Sequence, residues 1–485
     1  MRGIRSLSLA ALIAAVCFLA PLGAEVRALW AMPWSIATRG GIDSLITAAV
    51  ASRQTDILVE VRYRSDALYQ TNRLPDDFPN PEPRSYILKS AGFDPLEYAL
   101  REGHKNNLRV HAWFVAFNAT PVDSVLIERN YIYQNHPDWI THDAEGRRQE
   151  PGTRPGCFVD PGLPEVREHL LTVVGDILTG YPLLDGLHLD YVRYPGPRWG
   201  YHPLAVAAFN TSAAQIGVSW NKWRAEQVTS FVVQARRLAD SISPGLVLSA
   251  AVLPDPEEAR ERYAQDWLSW LERGIIDHAY PMAYGADAGD FARVLHSLSQ
   301  YPLKSRMILG IRAWNDNGDP LENRPRGTGY GVMDVADRIR AAREKGFAGI
   351  SLFSYDGMKE GDAFAQLANF CFSEMLIARM NFRENPLGKG VKYAADLDAA
   401  PAGRRYGLEL RLPAKGRWNW EIRDLKDNVL YRRKAFYLKG TNADDWNGVL
   451  PDGSQIPAGC YLACLFRDHD CFKYVMPITL PELDL

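Results

Sequence analysis

Asp190 ends a short alternating run, Asp185-Gly186-Leu187-His188-Leu189-Asp190-Tyr191-Val192-Arg193. It carries the most explicit chemistry in the sequence. Side chains on a strand alternate between faces. Leu187 and Leu189 therefore share one face, and His188 and Asp190 share the other. A carboxylate at a strand end can serve as acid, base or nucleophile, and nearby Arg193 would keep it ionised. The same two residues could equally form a structural ion pair. Glu60, Arg62 and Arg64 share a face opposite Ile57, Val59 and Val61. Glu60 reads either as a second acid/base carboxylate or as half of a self-neutralising pair with Arg62. Asp255, Asp287 and Asp356 are later candidates for a second carboxylate. His111 and Trp113 share a face, as do His278, Tyr280 and Tyr284. Trp30, Trp113 and Trp314 can pack in a core or stack on the apolar C–H face of a sugar ring, with Trp113 the best placed to stack.

Other chemistries fit less well. The ten His and six Cys show no metal-ligand spacing, so no metal and no cofactor is expected. No Gly-x-Ser-x-Gly elbow marks a nucleophilic serine. The net charge is −3, from 55 basic and 58 acidic residues, which gives no electrostatic footprint for nucleic acid.

These residues need a frame. Strand patterns run over Val26–Met32, Thr55–Tyr63, Arg109–Ala116, Gly186–Val192, Leu246–Val252, Ile275–Tyr284, Met307–Ile311 and Gly349–Ser354, with helical patterns between them. Eight βα units in order predict an α/β fold, a (β/α)8 TIM barrel over 25–380. Catalytic residues of such barrels sit at the carboxyl ends of the strands, where Asp190 falls. The pattern then changes. Residues 381–404 read as linker, and 405–485 as a small all-β sandwich of short alternating strands with no acid/base set of its own.

Residues 1–24 read as a signal peptide: Arg2 and Arg5, an apolar run Leu7–Leu22, and cleavage before Glu25. Val16 before Cys17 is too bulky for a usual lipidation box. A secreted or periplasmic location is expected, with no membrane span after cleavage. Five cysteines then remain. Cys464 and Cys471 flank a hairpin turn and could bridge, while Cys157 and Cys371 have no evident partner.

In order along the chain stand Arg27-Ala28-Leu29-Trp30, Val61-Arg62, Asp66-Ala67-Leu68-Tyr69, Asp94-Pro95-Leu96-Glu97, His111-Ala112-Trp113, Asp160-Pro161-Gly162, Asp185 to Asp190 and Tyr280-Pro281-Met282-Ala283-Tyr284. From about Arg27 to Asp356 this set resembles the bacterial family-10-like glycosyl hydrolases. The resemblance implies an exported glycoside hydrolase acting on O-glycosidic bonds of an oligo- or polysaccharide. It implies Asp190 as a catalytic carboxylate, and Trp30, Arg62, Tyr69, His111, Trp113, His188, Arg193, Tyr284 and Asp356 as substrate contacts. Two departures stand out. Many members carry a second Asp where this chain has Tyr191, and Gln where it has Glu60. The first leaves Asp190 as the single carboxylate at that strand end, and the second sets Glu60 apart from the family's shared catalytic group. The second carboxylate is open among Asp255, Asp287 and Asp356, with Glu60 also possible, and an N-acetylated substrate could dispense with it. The alternative is a glycan-binding protein on a barrel without catalysis. Asp445 to Tyr461 resembles Ig-like modules of flagellar-hook-capping type. The sequence sets no oligomeric state.

Overall fold

The computed structural model describes residues 25–371, apart from 75, 91, 153–154, 213, 286, 316–319, 322–329 and 369–370, and most of 377–385 and 403–480. Residues 1–24 and Cys471 lie outside the described residues. Eight parallel strands follow one another: β1 (Val26–Ala31), β2 (Asp56–Tyr63), β3 (Arg109–Val115), β4 (Gly186–Asp190), β5 (Val247–Val252), β6 (His278–Ala283), β7 (Ile308–Arg312) and β8 (Gly349–Phe353). Each pairs with the next, and β1 also pairs with β8, so the sheet closes into the expected barrel. Among the described residues no helix is long and apolar enough to cross a membrane.

Helix starts are chemically marked. Thr38 accepts from the Gly41 amide ahead of Arg39–Ala51, and Asp94 accepts from the Glu97 amide ahead of Pro95–Lys105. The sixth strand starts at His278, three residues later than its pattern suggested. The reason is local: the amides of Ile275 and Ile276 bond to the Trp270 carbonyl and close the preceding helix instead.

The two faces of the strands divide as the alternation requires. Leu29, Ile57, Val59, Val110, Leu187 and Leu189 pack outward among the helices. Trp30, Leu58, Trp113, Val115, Ala251 and Tyr280 fill the barrel. Trp30 stands at the centre of this filling. Its ring meets Trp113, His188, Tyr280 and Phe353 edge-on, with centroids 4.5–6.2 Å away. Its indole nitrogen donates to Ser351 Oγ.

His188 is sealed into this interior. Nδ1 bonds to Ser249 Oγ at 2.9 Å, and Nε2 is buried without a partner among the described residues. Burial pushes the imidazole well below its ordinary range. A histidine held neutral in the fold binds a proton more readily in the unfolded chain, so stability is full above about pH 6.5 and falls as pH drops below it. The loss grows as pH falls from there toward 5. Urea unfolding at pH 7.5 and pH 5 should show a smaller acid loss for His188→Asn than for the native chain. Parallel losses would place the acid sensitivity elsewhere.

The C-terminal strands form two antiparallel sheets. β9 (Ile377–Asn385), β10 (Gly403–Leu412) and β13 (Gly440–Trp446) make one. β12 (Val429–Tyr437), β11 (Gly416–Arg423), β14 (Gly459–Phe466) and β15 (Lys473–Leu480) make the other, in that order. Residues 381–385, expected to be linker, belong to β9 and pair with β10. Cys464 stands opposite Val475 in the backbone register. Cys157 and Cys371 are free and buried.

Candidate active site

Asp190 is the last residue of β4, paired with Val115, an interior residue of β3. Both carboxylate oxygens are bonded. Oδ1 accepts from the Tyr191 amide at 2.6 Å, and Oδ2 accepts from the Trp113 indole at 3.1 Å. Burial pushes this carboxyl above its ordinary range, against the pull of the Tyr191 amide, Arg193, the indole and Arg64. Glu60 lies on β2 in the layer of Trp113 and His188. Its Oε2 is buried with no partner among the described residues. Burial drives the Glu60 carboxyl well up, opposed by the Arg64 charge and reinforced by that of Asp190. The two carboxyls thus feel each other but live in different surroundings, one doubly hydrogen-bonded and one bare. Such pairs separate into a proton holder and a charge holder.

Arg64 and Tyr191 complete this end of the barrel. The Arg64 guanidinium lies 5.3 Å from the Tyr63 centroid and 5.7 Å from that of Tyr191. The Tyr191 ring also carries Arg193 at 5.0 Å. Arg64, Ser65 and Tyr191 all hold positive φ, between 48° and 63°. Bulky residues rarely adopt that region, and such strain gathers at ligand sites. Asn118, just past β3, is fully buried with neither amide atom bonded among the described residues. Tyr284 stacks on Phe353 at 5.5 Å and meets Trp314 edge-on at 5.5 Å. Burial and the charge of Asp190 push its phenol up.

Several expected contacts lie elsewhere. Arg62 is the clearest correction. A bulge shifts the register between Glu60 and Arg62, so Arg62 pairs with Phe114 of the outer face. One extra residue reverses which face a side chain takes. Arg62 is fully buried there on Glu82, with 2.6 Å from Nη2 to Oε1 and 2.8 Å from Nε to Oε2. His169 adds a 2.9 Å bond to Glu82. Against the upward push of burial, the Arg62 charge and these bonds hold Glu82 at about 2. His111 sits toward the opposite end of the barrel, on Asp56 at 2.8 Å. Tyr69 bonds Asp176 at 2.9 Å outside the barrel and is fully buried. Trp30 and Trp113 are 1% and 3% exposed, so they are filling rather than free platforms. Asp255 and Asp287 accept from backbone amides at helix starts. Asp356 sits on the rim after β8. Arg64 and Tyr191 are additions. Parity with Glu60 does not survive the bulge, and Arg64 reaches this end through the positive-φ turn that follows β2.

The Arg62–Glu82 pair makes a prediction. Removing one partner of a buried ion pair leaves the other charge uncompensated, at a cost of about 3–5 kcal/mol. Glu82→Gln should lose that much in urea unfolding at pH 7. A loss below about 1 kcal/mol would mean that the Val115 and Ala116 carbonyls and Ser65 Oγ, which Arg62 also meets, suffice to hold its charge.

A cleft of about 400 Å³, lined by Gly162, Arg167, Leu204 and Trp223, opens between the segments after β3 and β4, not over these carboxylates. The carboxylates themselves are nearly covered, Glu60 being 3% and Asp190 8% exposed.

Two buried carboxyls and several aromatic rings thus gather at the carboxyl end of a (β/α)8 barrel, where the catalytic groups of such barrels lie. One family accounts for most of that barrel: residues 42–309 match Glycosyl hydrolase-like 10, and the chain belongs to this family. Glycosyl hydrolase DigH of Escherichia coli strain K12 is 28% identical over 273 residues, 49% of this chain and 58% of DigH. Glycosyl hydrolase YngK of Bacillus subtilis strain 168 is 25% identical over 294 residues, 54% of each chain. The chain thus spans little more than half the length of the curated relatives it matches. Among solved structures, the catalytic domain of beta-amylase from Paenibacillus polymyxa is 12% identical, covering 72% of this chain and 98% of that one, with a TM-score of 0.46.

Proposed function

We propose that the protein is an exported glycoside hydrolase that cleaves an O-glycosidic bond of an oligo- or polysaccharide. The observation that carries this reading is the unlike pair of carboxyls at the mouth. Glu60, bare and desolvated, holds its proton and donates it to the leaving oxygen. Asp190, bonded by two N–H donors, carries the charge. It either attacks the anomeric carbon or takes a proton from the water that does. Tyr284 and Arg64 offer a hydroxyl and guanidinium donors to the sugar's hydroxyl groups. DigH and YngK carry the name glycosyl hydrolase, which supports the same reaction class.

Release of reducing ends from cello-, xylo- and chito-oligosaccharides tests the reading. The native chain should release them from at least one series. Binding of a series without release would favour a glycan-binding protein, a reading supported by the nearly covered carboxylates and by Tyr191 in place of a second Asp. Export rests on Arg2, Arg5 and the apolar run to Leu22. Expression of the full chain should give a secreted or periplasmic product beginning at Glu25. A cytoplasmic product that keeps Met1 would remove that part.

A further inference from the structure

We infer that Trp34, held by Asp356, is an outer platform for a pyranose ring of a glycan chain that crosses the barrel mouth. The inference rests on the mouth being a glycan site. Among the described residues Trp34 is the one tryptophan with more than half of its surface exposed, at 51%. It lies in the short helix Pro33–Ile36, directly after β1. Asp356 lies in the turn Tyr355–Gly357 after β8. β1 and β8 are neighbours, so both residues stand on the same stretch of rim.

Exposing an indole is unfavourable, and here the ring is also fixed in place. Its nitrogen donates to Asp356 Oδ1 at 2.9 Å. Ser35 Oγ donates to the same oxygen at 2.6 Å, and Lys359 Nζ lies 3.1 Å from it. A surface tryptophan that served only packing would need no such anchor. The other carboxylate oxygen, Oδ2, is buried with no partner among the described residues, so the carboxylate is fixed behind the ring rather than turned to solvent. An exposed apolar face held in a fixed orientation is what a pyranose asks for, since its C–H groups form a face that stacks on an indole. A protein side chain would cover the ring equally well, but the neighbouring strand ends carry a ring cluster of Trp314, Tyr284 and Phe353, with centroids 5.5–5.7 Å apart.

Position adds the length of the ligand. β8 and β1 lie across the barrel from β4, which carries Asp190. A sugar on Trp34 is therefore not the one at Asp190, and a ligand touching both must be an oligomer. Asp356 acts here as a positioning residue for the indole.

The test compares hexa- and disaccharides of the cello, xylo and chito series. Binding is measured by titration calorimetry on Asp190→Asn chains, and turnover on chains with Asp190 intact. Trp34→Ala should weaken hexasaccharide binding on the order of tenfold and lower the hexa-to-disaccharide ratio of kcat/KM by a similar factor. Trp34→Phe should recover most of this. Asp356→Leu should give an intermediate loss that Trp34→Phe does not share. A folded Trp34→Ala chain with unchanged hexasaccharide binding would overturn the platform, as would a native chain that binds no hexasaccharide. The two readings fail separately. Trp34-dependent binding without reducing ends removes hydrolysis and keeps the platform. Cleavage whose length preference ignores Trp34 removes the platform and keeps hydrolysis.

Discussion

Asp190→Asn is expected to lower kcat at least about 10²-fold while the chain stays folded. The side chain keeps its size, and the strand pairing that fixes it is backbone: the Ala116 amide donates to the Asp190 carbonyl. What changes is charge and acceptor number. The amide oxygen can serve only one side of the present pair of donors, the Tyr191 amide and the Trp113 indole, because the new NH2 cannot accept. Opposing that loss, a buried charge is removed from a group that burial already pushes toward its neutral form. Stability should therefore move little, and substrate affinity less than turnover. The pH profile follows the same cause. A carboxyl held above its ordinary range takes up its proton earlier on acidification, so native kcat/KM should fall on an acid limb above the usual aspartate range near pH 3.9. A stable Asp190→Asn protein with native turnover would remove Asp190 from the chemistry. A chain that melts early but turns over normally per folded molecule would make it structural.

The barrel was legible because its grammar is local. Leu187 and Leu189 must leave water on one side, which fixes His188 and Asp190 on the other, and the register confirms that split. Arg62 was not legible. Parity placed it with Glu60, but the bulge after Glu60 turns it outward, and no glycine or proline marks that bulge. Its true partner, Glu82, lies 20 residues on in a loop, beyond any periodic pattern. Trp34 was missed for a related reason. A tryptophan beside Pro33 reads as packing until the neighbouring rim shows that one face is open and that its nitrogen is tied to a residue 322 positions away. Trp30 and Trp113 went the opposite way, since only the closed barrel shows that they fill its centre. β9 was within reach, because Met380 and Phe382 already alternate with polar residues there.

Glu60→Gln should cut turnover by about 10²-fold and at the same time make the protein more stable at neutral pH. Both effects come from one bare carboxyl. In the fold, burial holds its pKa well above the ordinary value, so the unfolded chain ionises first. Its contribution is therefore intact below about pH 4.3 and is lost progressively as pH rises toward the folded value. Gln has the same shape and no proton to lose, so the variant should unfold at higher urea than the native chain at pH 7, with the gap closing near pH 4. Activity responds to the missing proton donor. A sugar leaving group needs protonation as it departs, whereas a nitrophenolate does not. The loss on oligosaccharides should therefore greatly exceed the loss on aryl glycosides, and the alkaline limb of the native pH profile should disappear with the variant. Equal losses on both substrate types would make Glu60 a shape-keeping residue. Unchanged turnover with the predicted stabilisation would leave a desolvated carboxyl beside Asp190 whose proton the reaction does not use.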